Sequence, residues 1–170
     1  EQTLRDLRNP AHPYRQQINF DFGGRVEIYD GTQALNGQAL SPSSVRENLS
    51  IFVLSYDALR ITKKEGRRVY RENGNLAQFV PHYTDRAALV SDVDETALIQ
   101  VLNQLSPVVI VDESHNAQGK LSIEMLCDLN PSFVLDLTAT PKSNSNIISI
   151  VDARELKKEN MVKLPVIIYN

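Results

Sequence analysis

Three short runs of apolar, largely β-branched or aromatic residues constrain this chain most: Ile51-Phe-Val-Leu54, Val108–Val111 and Phe133–Leu137. Continuous runs of this kind fit strands buried on both faces, because strict alternation is expected only where one face is wet. Between them lie stretches with helical spacing. Ala97, Leu98, Val101, Leu102 and Leu105 recur on one helical face, with Asp92-Val-Asp-Glu-Thr96 as cap and first-turn acids. Ser122–Leu129 reads as another helix, ended by Asn130-Pro131. Strands alternating with helices predict an α/β domain with a mainly parallel sheet and helices on both faces.

The flanking segments add shorter elements. Thr3–Leu7 has the look of a helix end, stopped by Asn9, Pro10 and Pro13. Arg25–Tyr29 alternates polar and apolar residues and runs into the turn signal Asp30-Gly31, which predicts a short strand. Ser41-Pro42-Ser43-Ser44 caps a short helix through about Asn48, and Tyr56–Leu59 begins another. Arg60–Gln78 is strongly charged and holds Gly66 and Gly74, which predicts a mobile surface excursion. Past Pro141, the polar run Lys142–Asn146 precedes a last strand–helix–strand pattern over Ile147–Val151, Ala153–Asn160 and Pro165–Tyr169. That run is the expected boundary between residues 1–146 and 147–170.

Composition narrows the function classes. The 170 residues suit one compact domain, and a hydrophobic content of 42% is enough for a substantial core. The net charge of −3 does not describe a dedicated polyanion-binding domain, so any nucleic-acid contact must come from a local patch. Arg60, Lys63, Lys64, Arg67, Arg68 and Arg71 form the one basic stretch, readable either as phosphate contacts or as a solvated loop. The single cysteine, Cys127, is expected to be a small buried hydrophobe in a reducing compartment. No apolar run is long enough to span a bilayer and no secretory signal is visible, so a soluble, cytoplasmic protein is expected. A first residue other than methionine suggests a piece of something longer. Tyr14, Phe20 and Phe22 are assigned to core packing rather than to stacking on bases, and His12 and His82 lack partners at metal-ligand spacing.

Chemistry is concentrated in Pro107-Val-Val-Ile-Val-Asp-Glu-Ser-His115. Asp112 and Glu113 fall just past the C-terminal end of an apolar strand, which is where open parallel sheets bind ligands. One carboxylate there can hold Mg²⁺ through its water shell, and a second can orient or deprotonate the water that attacks a γ-phosphate. Alone, the segment reads equally well as a buried strand meeting the acidic first turn of a helix. Phe133-Val-Leu-Asp-Leu-Thr-Ala-Thr-Pro141 tips the balance: another apolar strand is followed by two hydroxyls, Thr138 and Thr140, in a turn closed by proline. Neighbouring strands would bring these hydroxyls near His115.

Together, in this order and about one helix apart, the two segments resemble motifs II and III of superfamily 2 helicases and translocases. The first is a variant Asp-Glu-x-His box with Ser114 in the third position, and the second its Thr-Ala-Thr-Pro partner. Within that superfamily the chain looks most like the restriction (Res) subunit of type III restriction enzymes. The supporting residues are Leu49-Ser-Ile-Phe-Val-Leu-Ser55, the insertion Lys64-Glu-Gly-Arg-Arg with Glu72-Asn-Gly-Asn-Leu76, and Glu155-Leu-Lys-Lys followed by Met161-Val-Lys-Leu-Pro165. The likeness spans roughly Val45 to Pro165. It implies a RecA-like P-loop NTPase fold, with residues 1–146 a partial first motor domain and 147–170 a linker or the start of a second. It implies ATP and Mg²⁺ as cofactors, Asp112 on the metal, Glu113 as catalytic base, His115 coupling the ATP site to motif III, and Thr138 and Thr140 near the nucleotide. Ser55, Lys63, Lys64, Arg67 and Arg68 become candidate nucleic-acid contacts. Double-stranded DNA is the implied substrate, a DNA-methylating modification subunit the implied partner, and a nuclease domain would lie elsewhere in the parent.

The sequence departs from the superfamily pattern in one respect. A phosphate-cradling loop needs Gly-x-x-x-x-Gly-Lys-Ser/Thr, and neither Gly119-Lys120 nor Phe22-Gly23-Gly24-Arg25 satisfies it. The expectation is a motor domain truncated on its N-terminal side, lacking the Walker A loop and not hydrolysing ATP by itself. Two rival readings exist. A degenerate motor kept as a protein-binding scaffold has no use for adjacent acids at a strand end. Leu89-Val-Ser-Asp-Val-Asp-Glu-Thr96 matches the Asp-x-Asp-x-Thr signature of haloacid-dehalogenase-type phosphatases, with Asp92 as nucleophile and Asp94 as acid/base, but the later acidic pair comes in the wrong order.

Overall fold

The chain was analysed as a computed structural model, in which residues 2–54, 68–112, 120–138 and 146–149 are described. It divides into two compact units, Glu1–Leu137 and Thr138–Asn170. In the second, residues 146–149 are irregular, with Ile147 and Ile148 exposed, so the strand expected from Ile147 does not begin there.

The first unit starts with two helices, α1 (Gln2–Arg8) and α2 (Pro13–Asp21). Proline opens α2, where its missing N–H costs nothing, and the His12 ring caps it through Nδ1, accepting from the Tyr14 N–H at 3.4 Å. Strand β1 (Val26–Asp30) follows, close to the Arg25–Tyr29 expectation. Asp30 is more than a turn signal: it caps α3 (Gly31–Asn36), accepting from the Gln33 N–H at 2.8 Å while the Gln33 side chain reaches back. Gly37 closes α3 in the left-handed region (φ 71°), and a Cβ there would lie 2.8 Å from the Leu76 side chain. Ser41 caps α4 (Pro42–Glu47), as its Ser-Pro-Ser-Ser context predicts, and β2 (Leu49–Val53) lies beside β1 in parallel, from Val26↔Leu49 to Asp30↔Val53.

Residues 68–82 depart from expectation. In place of a surface excursion, short 3-10 helices at Arg68–Tyr70 and Gly74–His82 bury Val69, Tyr70, Leu76 and Phe79. The local charge is real, but apolar residues spaced through it point inward and decide the packing. Residues 60–67 lie outside the described residues, as do 56–59.

The core is organised around α5 (Leu98–Leu105), in which Leu98, Ile99, Val101 and Leu102 are buried with Tyr29, Leu40, Val69, Leu76 and Phe79. Full burial of each large aliphatic side chain stabilises by roughly 1.5–3 kcal/mol. The expected acidic cap is displaced: α5 begins only at Leu98, after Ala97 without a side-chain cap, and the acids occupy the preceding turn. Two polar residues enter the core because they satisfy irregular backbone. Gln100, 1% exposed, accepts from the Val90 N–H and donates to the Val90 and Val93 carbonyls. Asn103 donates to the Ala88 and Asp128 carbonyls. Each would cost on the order of 1–3 kcal/mol if left unpaired.

β3 (Val108–Asp112), α6 (Lys120–Asp128) and β4 (Phe133–Leu137) complete the unit. β3 and β4 are parallel, from Val108↔Phe133 to Asp112↔Leu137. These strands are not buried on both faces: Val108 and Ile110 are 64% and 63% exposed, and Phe133, Val134 and Leu137 are exposed too. β2, likewise, is only half-buried along its length. The described strands form two separate two-stranded sheets, so a strand that a wider sheet would flank keeps an open side. Tyr14, Phe20 and Phe22, expected in the core, are exposed on α2 and its C-terminal cap. Cys127 is exposed as well, because Met125 and Leu129, four apart, take the inner side of α6.

Candidate active site at the ends of β3 and β4

Local sequence sets the strand that carries the acids. Ser106, left-handed at φ 44°, ends α5, and Pro107 then turns the chain into the β-branched run of β3. On the other side, α6 ends in Leu129, left-handed Asn130 and Pro131. Ser132 N–H donates to the Pro107 carbonyl at 3.0 Å, so β4 is tied to β3 where both start. From there the register runs without slip to Asp112↔Leu137. The strand carrying the acidic motif and the strand leading into Thr138 are thus direct neighbours pointing the same way.

Asp112 is the last residue of β3, at its C-terminal end, and it is exposed. Among the described residues its carboxylate makes no hydrogen bond or ion pair, which leaves its oxygens open to a hydrated cation. No group of three or more His, Cys, Asp or Glu side chains gathers into a metal cage among the described residues. Thr138, half-buried, follows β4 directly. Glu113, His115 and Thr140 lie outside the described residues.

Of the candidate nucleic-acid contacts, Ser55, Lys63, Lys64 and Arg67 also lie outside them. Arg68 is exposed and opens the 3-10 helix whose next two residues, Val69 and Tyr70, are buried. One side of that turn therefore faces solvent with a guanidinium while the other is fixed in the core.

The Asp92–Thr96 segment lacks the geometry of a phosphatase nucleophile. No strand precedes it: Arg86–Ala88 is a 3-10 helix, and Asp92 sits in a turn at φ 58°. The Asp94 carboxylate accepts from the Thr96 hydroxyl and from its N–H at 2.8 Å, and these bonds hold it below the usual carboxylate range. Its partners are its own turn.

Sequence reasoning gave no hint of a groove of about 170 Å³ between α4, the Gly74–His82 helix and α5. Val45, Phe79 and Leu105 line it, with Arg46 and His82 in contact at 3.4 Å on its rim. Its residues come from three separate elements, so no motif could reveal it.

No described helix is long and apolar enough to cross a membrane. Residues 1–143 match a family model described as "Type III restriction enzyme, res subunit". The match starts well before Val45, where the likeness first becomes legible by eye, and stops short of Pro165. Neither a curated protein nor a solved structure matches the chain.

Proposed function

Because the chain belongs to the family of type III restriction enzyme res subunits, we propose that it forms part of an ATP-driven, DNA-coupled motor whose nucleotide site lies at the ends of β3 and β4. The observation that carries this reading is the parallel, in-register pairing of these two strands, which ends at Asp112↔Leu137. It sets side by side the C-terminal ends of the two strands that lead, in sequence, into the Asp-Glu-Ser-His and Thr-Ala-Thr-Pro segments.

In this reading Asp112 would hold Mg²⁺, which when bound would supply positive charge to offset that developing on the phosphates. Glu113 orients the attacking water and accepts its proton, while His115, Thr138 and Thr140 link the site to the chain beyond β4. Residues 147–170 are a linker to, or the start of, a second RecA-like domain. Duplex DNA is the substrate, met by Arg68 and its basic neighbours. A modification subunit supplies sequence recognition. The scaffold alternative is disfavoured by the open, unshielded carboxylate of Asp112.

The test is ATP turnover by the full-length protein with and without duplex DNA. Glu113→Gln should lower kcat by about 10²-fold or more, the scale of a lost general base. Asp112→Asn should do the same and raise the Mg²⁺ concentration needed. Wild-type rates in both variants would remove the site from these strands.

A further inference from the structure

The helix between the two motif strands ends in a way that its own stability does not explain. Asp128 is the last residue of α6, which has no basic residue in its last turn. A carboxylate there opposes the helix dipole, since the C-terminal end already carries partial negative charge. The structure compensates from a distance in sequence. The Tyr70 hydroxyl donates to Asp128 Oδ2 at 2.8 Å, across 58 residues, and Tyr70 is itself only 7% exposed. The Asp128 carbonyl accepts from Asn103 Nδ2 at 2.9 Å, and Asn103 is 2% exposed on α5. Asp128 is therefore clamped by its side chain to the Arg68–Tyr70 turn and by its backbone to the core helix.

What lies on either side of the clamp gives it meaning. On one side, Arg68 is exposed two residues before Tyr70, within the same 3-10 turn and towards the end of the chain's basic stretch. On the other, Asp128 is followed within five residues by the start of β4, whose pairing with β3 ends at Asp112. Leu129 packs on the core, and Asn130 Nδ2 and Ser132 N–H bond Ser106 Oγ and the Pro107 carbonyl at the start of β3. A shift of the turn would be passed to a hydrogen-bonded helix end in a packed core, which transmits strain rather than absorbing it.

We propose that Tyr70 and Asp128 are a positioning pair that relays a phosphate backbone contact at Arg68 to the helix connecting β3 and β4, and so tunes ATP turnover to the presence of duplex DNA. The proposal rests on the motor reading above. Neither residue touches nucleotide; each acts through the placement of α6 and β4.

The experiment measures ATP hydrolysis by the full-length protein, without DNA and at saturating duplex DNA, for wild type, Tyr70→Phe, Asp128→Ala (asparagine would still accept from the hydroxyl) and the double variant. Tyr70→Phe keeps the ring and removes only the hydroxyl, so the core stays filled. In both single variants the DNA-stimulated rate should fall at least roughly fivefold, the lower end of ordinary site-to-site coupling. Basal turnover should be unchanged, and any fall in melting temperature should leave the protein folded at the assay temperature. The double variant should be no worse than Asp128→Ala alone, because the Tyr70–Asp128 hydrogen bond is already gone there. Amide exchange over residues 124–137 gives a second readout: DNA should slow it in wild type and leave it unaltered in Tyr70→Phe. Full stimulation in both single variants overturns the pair as a relay, and so does a parallel fall of basal and stimulated rates. Absence of DNA-stimulated turnover in the wild type would instead sink the motor reading, and the relay with it.

Discussion

β1–β2 and β3–β4 are both parallel pairs of five-residue strands, but their surroundings differ. On the first pair, Tyr29 stacks on Phe52 at 5.1 Å between ring centroids and is 3% exposed. It belongs to a cluster that includes Leu40, Leu76, Phe79 and most of α5. On the second pair, Ile110 and Val108 point outward with Asp112, and Phe133 and Leu137 lie beside them in register. β-Branched residues dominate β3 and large apolar ones run through both pairs, so strand propensity does not separate the two. What separates them is cover: α1, α3 and α4 pack on the first pair, whereas the second keeps Val108, Ile110, Phe133 and Leu137 exposed. The chemistry-bearing strands are the less enclosed ones. Their placement depends on ties at their starting ends, through Asn103, Ser106, Pro107 and Asp128.

Substitution should expose this contrast most sharply at matched aliphatic positions. Leu98→Ala empties a site that is 1% exposed and should cost about 2–5 kcal/mol. Ile110→Ala, at 63% exposure, should cost no more than about 0.5 kcal/mol. Urea unfolding of the full-length protein reads both. Equal losses would mean that β3 is as enclosed as α5, and the distinction between the two pairs would fail.

The next largest effect is expected from Gln100→Ala. Its amide serves the Val90 N–H and two carbonyls, and no apolar replacement can do so. With at least one buried backbone group orphaned, destabilisation should reach about 1–3 kcal/mol. Amide exchange should rise first at residues 88–93, whereas β3 and β4 should be little changed. Rapid exchange spreading equally into β4 would show that the two regions open as one.

How far these features could be read in advance depended on whether their cause was local. Ser41-Pro-Ser-Ser gives a capping box from its own chemistry, and the expected helix is present. Val108–Val111 and Phe133–Leu137 declare strands through propensity, and Asp112 falls at a strand end as the motif requires. Burial was less legible because it depends on distant partners. Val69 and Tyr70 sit in a charged stretch yet enter the core, whereas Phe20, a large aromatic, is 83% exposed. The Gln100 and Asn103 side chains look like polar interruptions of an apolar face until their backbone partners are known. The Tyr70–Asp128 bond spans 58 positions, and nothing at either residue announces the other.

A glycine substitution tests the enclosed region at its tightest point. Gly37→Ala places a Cβ 2.8 Å from two Leu76 side-chain carbons, and Leu76 is fully buried. The left-handed φ of 71° adds conformational strain. Together these should destabilise by about 1–3 kcal/mol, the range for overpacking. Combining it with Leu76→Ala, which removes both contacted carbons, takes away the clash but not the backbone strain, so the two losses should add to less than their sum. Fully additive losses would assign the whole effect to φ.

The smallest expected effect is a pH dependence confined to the enclosed region and its edge. Burial pushes the Tyr29 phenol up to about 12, and the hydrogen bond it donates to Glu27 adds to the shift. Burial, with the Glu95 charge nearby, likewise lifts Tyr83 to about 12. Both shifts favour the protonated phenol in the folded state. In the unfolded chain these groups ionise near 10, so between pH 10 and about 12 the unfolded state binds fewer protons and stability falls as pH rises. Below pH 10 the contribution is fully present. Melting temperature measured across this window should drop, with a shallower slope in Tyr29→Phe, because Phe has no phenol to ionise in either state. An unchanged slope in that variant would show that Tyr29 is wetter than its place in the core implies.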